Sequence, residues 1–271
     1  MNMSFNIYIN CNPASWHHLI KNCLHPLIQQ MKDKGLIHDF YLTLNAGRIQ
    51  LTILTSPDRK EECFRTTDDG VGEYLSVYPS LNDSIWYDVP VTNPFFSGYP
   101  LQQMRNKVKS CLSINMIMAL TDAPIERKSS LIYLTYLLFA IIQLFIPDPE
   151  EAKKGIQRLL HGGIRDHQFF DAVSFASNRA FSWQRVYEEY RPSLLNICEN
   201  VWVKTTYDED LSWLAEWKKM IGNIPFQDGF EDCFPDLLLL IHDQLGIPVN
   251  SEMTQSLLTV LYNTLDSFCI S

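Results

Sequence analysis

The stretch from Leu131 to Ile146 constrains this chain more than any other. It is almost continuously apolar, broken by Thr135 and Gln143, and Pro147 and Pro149 follow it at once. A helix that crosses a bilayer needs about 20 such residues. The run is too short for that, and it is apolar all round, so it predicts a central helix buried inside the protein rather than a membrane segment. Other elements must then pack around it, and 271 residues are enough to build a core of that size. Hydrophobic residues at 46% and charged residues at 20% fit an ordinary globular composition. The net charge of −9 argues against broad nucleic-acid binding, which needs cations to displace phosphate counterions.

The N-terminus lacks the basic start and apolar segment of a signal peptide, so none is expected. Seven cysteines, at positions 11, 23, 63, 111, 198, 233 and 269, are scattered without CxxC spacing. That pattern predicts reduced thiols in a cytoplasmic protein, each acting as a small buried apolar residue. Nothing points to a metal or an organic cofactor, and the sequence has no phosphate-binding glycine loop and no Gly-x-Ser-x-Gly nucleophile motif.

Period-two alternation marks the N-terminal strands. Phe5-Asn6-Ile7-Tyr8-Ile9 reads as one strand, Phe40 to Leu44 as a second and Arg48 to Thr55 as a third. In the third, Arg48, Gln50 and Thr52 share a polar face, while Ile49, Leu51 and Ile53 point inward. Between the first two strands, Trp16, Leu19, Ile20, Leu24, Leu27, Ile28 and Met31 trace one helix face, with Ser15 as its expected N-cap and Gly35 at its stop. Glu73–Tyr78 and Ile85–Val89 read as further strands, and Val91–Pro100 as a loop. From Leu101 onward the pattern is helical. Asp148, Pro149 and Glu151 form a helix start before Ile156, Leu159 and Leu160. Helices are also expected over Phe181–Trp202, Leu211–Ile221, Leu237–Leu245 and Met253–Phe268. The expectation is one α+β domain over 1–271, with a strand-rich part (1–100) packed with a mainly helical part (101–271).

These segments resemble the thiopeptide-type bacteriocin biosynthesis family, found as the elimination domain of lantibiotic dehydratases and as stand-alone relatives. The family opens with an aromatic-rich strand, then a helix with a Pro-Leu pair, here Pro26-Leu27. An Arg-Tyr strand and a His-Leu-Arg-Leu-Arg strand follow; here Thr43-Leu44 and Arg48-Ile49-Gln50-Leu51-Thr52 stand in those places. The run Leu131–Ala152 is similar to the family's central helix pair. Ser256–Leu265 is similar to its terminal helix, usually Ser-Leu-Ile-His-Met, two variable residues, Asn-Arg-Leu.

The resemblance implies a fold similar to the lantibiotic dehydratase elimination domain, and a role in ribosomal peptide antibiotic biosynthesis. It implies a glutamylated or dehydrated precursor peptide as ligand, and a larger dehydratase subunit as a possible partner. It also implies substrate-binding positions at Thr43, Arg48, Gln50 and Thr52, with Thr259 and Asn263 as catalytic candidates sharing their pocket. In the family the matching positions hold arginines that grip glutamate carboxylates and a histidine suited to moving a proton. Here those arginines become Thr43, Gln50, Thr52 and Thr264, and the histidine becomes Thr259; only Asn263 keeps its type. Each charged hydrogen bond contributes about 1.5–3 kcal/mol, so ordinary glutamate elimination is not expected unless Arg105, Arg165, Arg179 or Arg191 reaches the pocket. An elimination-like or ring-forming step on a dehydrated peptide is one expectation. The alternative is a non-catalytic subunit of a split dehydratase, binding its precursor by strand addition at a sheet edge.

Other constellations have plainer readings. His17-His18 reads as a partly exposed pair rather than a metal site, His161-Gly162-Gly163 as a helix stop, and Asp208-Glu209-Asp210 as a solvated cap. Trp213 and Trp217, four apart, read as core or interface packing.

Overall fold

A computed structural model of the chain describes residues 3–45, 47–78, 85–87, 100–122, 127–162, 183–204, 212–226, 229–247 and 251–270. The expected loop at 91–99 and the positions Arg165, Arg179 and 208–210 lie outside these residues. The chain divides into two compact units: Met1–Arg127 with Gln244–Gly246, and Lys128–Asp243 with Ile247–Ser271.

The first unit holds an antiparallel sheet of order β2-β3-β1-β4, with β1 at Met3–Asn10, β2 at Asp39–Asn45, β3 at Arg48–Thr55 and β4 at Ile85–Tyr87. The alternation read from the sequence sets the two faces. Phe5, Ile7 and Ile9 of β1, Phe40, Leu42 and Leu44 of β2, and Ile49, Leu51 and Ile53 of β3 are all buried. Their face is covered by the helical segment after β1 and by α3 (Lys60–Val77): the Phe5 and Phe64 rings lie 6.0 Å apart, and Lys32 Nζ sits 4.8 Å above the Phe40 ring.

That first helical segment is not the single expected helix. It runs as α1 (Trp16–Leu19), a π turn (Ile20–Leu24) and α2 (His25–Asp33). The cause is Pro26, which lacks an N–H and crowds the carbonyl one turn back. The chain widens just ahead of it, so the His25 amide reaches Ile20 O, five residues earlier. Ser15 does not cap the helix. Its side chain makes no cap bond, and Asn12 starts the turn instead by accepting from the Ala14 amide at 3.0 Å. Gly35 ends the segment as expected: at φ +64° it adopts the left-handed turn, and the Leu36 amide returns to Met31 O at 2.9 Å.

The expected strand at Glu73–Tyr78 is a correction, since Glu73–Val77 forms the end of α3. The buried residues Cys63, Thr67, Val71 and Tyr74 recur at helical spacing, whereas Val77 is 62% exposed and gives no second buried strand position. Gly70 lets α3 sit close to α2, because a Cβ there would meet Leu27 Cδ1 at 3.0 Å. Helix α4 (Pro100–Asp122) also belongs to this unit and packs on β2.

The second unit is helical: α5 (Arg127–Phe145), α6 (Pro149–Gly162), α7 (Trp183–Glu199) with a π turn at Asn200–Lys204, α8 (Ser212–Gly222), α9 (Phe230–Gln244) and α10 (Ser251–Ile270). The apolar run forms α5, and Leu137 to Ile142 are fully buried. Trp217 is a core residue and donates its indole N–H to Leu137 O, while the half-buried Trp213 packs against Tyr133 and Tyr136. Asp148 caps α6 through the Glu151 amide at 2.9 Å. Gly155 allows α6 to approach Ile146 and Phe230, which a Cβ would meet at 2.8 and 3.2 Å. Helix α10 packs along α6 and α7. Among the described residues no single helix is long and apolar enough to cross a membrane.

Five cysteines (11, 23, 63, 198 and 233) are buried as expected, whereas Cys111 and Cys269 are half-buried. Burial pushes the Cys23 and Cys63 thiols up to about 12 and Cys111 up to about 11, and raises Cys198 strongly. Burial lowers Lys218, which donates to Val201 O, to about 8. The two effects have opposite signs. In the unfolded chain the thiols lose protons near 9, so stability present below that pH is lost as pH rises toward their folded values. Lys218 stays protonated longer unfolded than folded, so it adds stability between about 8 and its ordinary value of 10.5. Four thiols outweigh one ammonium. The urea midpoint, measured in reductant, is expected to fall between pH 8.5 and 10.5, and to fall more steeply in Lys218→Met.

Candidate functional site

The register of the sheet assembles the polar face strand by strand. Asn6, Thr52 and Tyr41 lie opposite one another; so do Tyr8, Gln50 and Thr43; and so do Asn10, Arg48 and Asn45. Side chains at paired positions share a face, so the four expected binding residues Thr43, Arg48, Gln50 and Thr52 do come together. All four are half-buried.

Their hydrogen bonds are largely internal. The Gln50 amide donates to Asn6 Oδ1 and to Thr52 Oγ1, each at 3.3 Å, and the Thr52 hydroxyl donates to Asn6 Oδ1 at 2.7 Å. The Arg48 guanidinium lies 5.2 Å above the Tyr8 ring, a cation–π contact that holds it along the sheet. Tyr41 is only 9% exposed, and among the described residues its hydroxyl has no hydrogen-bond partner. Burial, and then the charge of Asp39, push its ionisation well above the usual phenol range, so it remains a neutral donor. Among the described residues the face therefore presents one cation, an amide–hydroxyl triangle and a buried donor. It can hold a carbonyl or an amide, but it has no paired guanidinium to grip a dicarboxylate.

Asn6, Tyr8 and Tyr41 are not among the site residues that the sequence points to. The alternation of β1 and β2 already placed them on this face; what was lacking was the register that puts them beside Gln50 and Thr52.

On α10, Thr259 and Asn263 stand one turn apart, both half-buried, in the second unit. The Thr259 hydroxyl donates back to Gln255 O at 2.9 Å, as threonines within helices do. Thr264 is fully buried and donates to Val260 O at 2.7 Å, so the position matched to a family arginine faces the core. From α7, the Tyr187 hydroxyl reaches the Asn263 backbone carbonyl at 3.5 Å and Ser267 Oγ at 3.3 Å, and Arg191 Nη2 donates to Ser267 Oγ at 3.2 Å.

The β2 edge of the sheet is occupied. The Leu42 amide, on the outward side of β2, donates to Ser113 Oγ of α4 at 2.8 Å. Ser113 also accepts from Gln244 Nε2 at 2.7 Å and donates to Lys109 O at 2.8 Å. The neighbouring outward amide, of Phe40, is bonded to Asp39 Oδ1, which also takes the Ser110 hydroxyl. A peptide strand cannot add along this part of β2 without displacing α4.

Of the histidine candidates, His17 Nδ1 is buried without a hydrogen-bond partner among the described residues, and the other two make local contacts. His18 Nδ1 bonds the Tyr74 hydroxyl at 2.6 Å, with its ring edge-on to Tyr78 at 4.6 Å. His161 bonds Gln157 O on the exposed last turn of α6. No group of His, Cys, Asp and Glu side chains suited to a metal occurs among the described residues.

The fold is that of thiopeptide and lantibiotic biosynthesis proteins of known structure. The pyridine synthase TbtD from thiomuracin biosynthesis matches with a TM-score of 0.61 at 10% identity, over 99% of this chain and 100% of that one. TsrL matches with a TM-score of 0.57 at 10% identity, over 100% of this chain and 96% of its own. The tRNA-dependent lantibiotic dehydratase MibB from Microbispora sp. 107891 matches with a TM-score of 0.51 at 12% identity, over 97% of this chain but only 28% of its own. No family model matches the chain, and no curated protein matches its sequence. The α+β fold expected from the resemblance is thus the fold observed.

Ser113→Ala removes the acceptor for both the Leu42 amide and Gln244. It is expected to lower stability by about 1–3 kcal/mol, the penalty for leaving buried donors unpaired. Hydrogen exchange at the Leu42 amide should quicken by a comparable factor, and an unchanged rate would show that α4 does not close this edge.

Proposed function

We propose that this protein is a tailoring protein of thiopeptide- or lantibiotic-type biosynthesis that binds a dehydrated precursor peptide and promotes a ring-forming step on it. The observation that carries this reading is the uncharged strand face at Thr43, Gln50 and Thr52, on which Gln50 and Thr52 bond each other and Asn6. Where the family that the sequence resembles concentrates guanidinium groups, this strand face offers Arg48 alone among the described residues, stacked on Tyr8. A glutamyl ester needs its carboxylates held in place. A dehydrated peptide is neutral along its reacting segment and needs mainly positioning, which a set of fixed amide and hydroxyl groups supplies. The match along the full length of a stand-alone pyridine synthase supports the same reading. In it, Arg48 orients a peptide carbonyl. A larger dehydratase supplies the dehydrated peptide, and the work is done in the cytoplasm.

A second reading, a non-catalytic peptide-binding subunit, is favoured by one observation: the Thr259 hydroxyl is engaged with Gln255 O, so no group free to move a proton stands at the position of the family's histidine.

Incubation with a dehydrated precursor peptide and, separately, with its glutamylated form, followed by mass analysis, tests both. Conversion of the dehydrated peptide alone is the expected result. Binding without any mass change selects the second reading, and loss of glutamate from the glutamylated form overturns both. Arg48→Ala is expected to weaken peptide binding about tenfold, the loss of one charged hydrogen bond; calorimetry with the dehydrated peptide measures it.

A further inference from the structure

We infer that Arg191, together with Tyr187, Asn263 and Ser267, forms a carboxylate-recognition site on the α7–α10 surface, suited to an acidic side chain or the free C-terminus of a peptide ligand. The inference deepens the peptide-binding reading above by naming a chemical feature of the ligand. It starts from how this unit treats its cations. Lys153, Lys154, Arg158, Lys204 and Lys219 each pair with a carboxylate. Arg191 does not. Among the described residues its guanidinium contacts only the neutral Ser267 hydroxyl, at 3.2 Å, although Glu188 stands one turn back on the same helix. A guanidinium carries five N–H donors in a planar fork, so four remain for a ligand.

The surroundings fix that fork. Ser267 Oγ also meets the Tyr187 hydroxyl at 3.3 Å, and Tyr187 in turn holds the Asn263 carbonyl at 3.5 Å. Asn263 and Ser267 are four residues apart, so their side chains are neighbours on α10. The Asn263 carboxamide makes no hydrogen bond to a described residue, leaving its NH2 group available beside the guanidinium. Asp266, the nearest acid in sequence, is bound by Lys153 at 3.4 Å, which reduces its repulsion of an incoming anion. A bidentate carboxylate on Arg191, with one further bond from Asn263, satisfies the spare donors. The site is solvent-exposed, so it anchors a ligand and does not rebuild the machinery for expelling glutamate.

The test uses the intact protein and three short probes followed by NMR: acetyl-Ala-Glu-amide, acetyl-Ala-Gln-amide and acetyl-Ala-Ala with a free C-terminus. Saturable shifts of the Arg191 Nε–H and Asn263 carboxamide signals are expected with the Glu probe, the free C-terminus or both; which of the two binds identifies the carboxylate's source. The Gln probe should leave these signals in place. Arg191→Met, which keeps the aliphatic stem, should weaken probe binding at least about tenfold, whereas Arg191→Lys should retain part of it. Equal shifts with the Gln probe, or undiminished binding to Arg191→Met, overturn the inference. The probes contain no dehydrated residue, so failure here leaves the ring-forming reading intact, and failure of the precursor to react leaves this site intact.

Discussion

The structure of the first unit rests on the strict alternation of β3. This strand is bonded on both sides, to β1 along its whole length and to β2 from Arg48 to Leu54. A slip of one residue would turn Ile49, Leu51 and Ile53 outward and drive Arg48, Gln50 and Thr52 into the core. The apolar face thus fixes the register, and the register in turn fixes which polar groups meet. Asn6 and Thr52 are neighbours because Ile7 and Leu51 must be buried together. The chemistry of the polar face is a by-product of packing on the other side, and it cannot be varied by moving the strands.

Much of this was legible in the residues themselves. Period two gave β1, β2 and β3, and the apolar run gave α5, because burial on one face or all round leaves an unambiguous pattern. Two local expectations failed for reasons of chain geometry. Glu73–Tyr78 alternates over a window too short to distinguish a strand from the end of a helix whose period only shows from Cys63 onward. Ser15 has the right residue type for a cap, but Asn12 begins the turn earlier and takes that role. The site was half legible. Which residues share the β3 face follows from alternation, but that Gln50 and Thr52 bond Asn6 rather than a ligand depends on cross-strand distances. The position of Arg191 depends on how α7 packs along α10, and no spacing within α7 could reveal it.

Among charges, position matters more than number. With a net charge of −9 the protein has 22 lysines and arginines against 31 acids, so cations are not scarce. On the described surface of the second unit Lys153, Lys154, Arg158, Lys204 and Lys219 are tied to acids, pairs of the exposed kind that contribute at most about 1 kcal/mol each. What the chain lacks is a group of cations on one strand. Thr43, Gln50 and Thr52 are uncharged and Thr264 is buried, so at these positions no change of pH recreates the missing charge.

A face on which Arg48 is the one described cation would discriminate among ligands mainly by hydrogen-bond matching rather than by attraction at a distance. Opening the Asn6–Gln50–Thr52 triangle to a ligand exchanges one set of neutral bonds for another, with little net gain. Tyr41 is different. Its hydroxyl is buried and has no hydrogen-bond partner among the described residues, a condition that carries a penalty of about 1–3 kcal/mol. A ligand carbonyl that reached it would remove that penalty, while a ligand with an apolar group at the same place would leave it standing. For such a ligand, selectivity of roughly one to two orders of magnitude would follow from a single buried phenol.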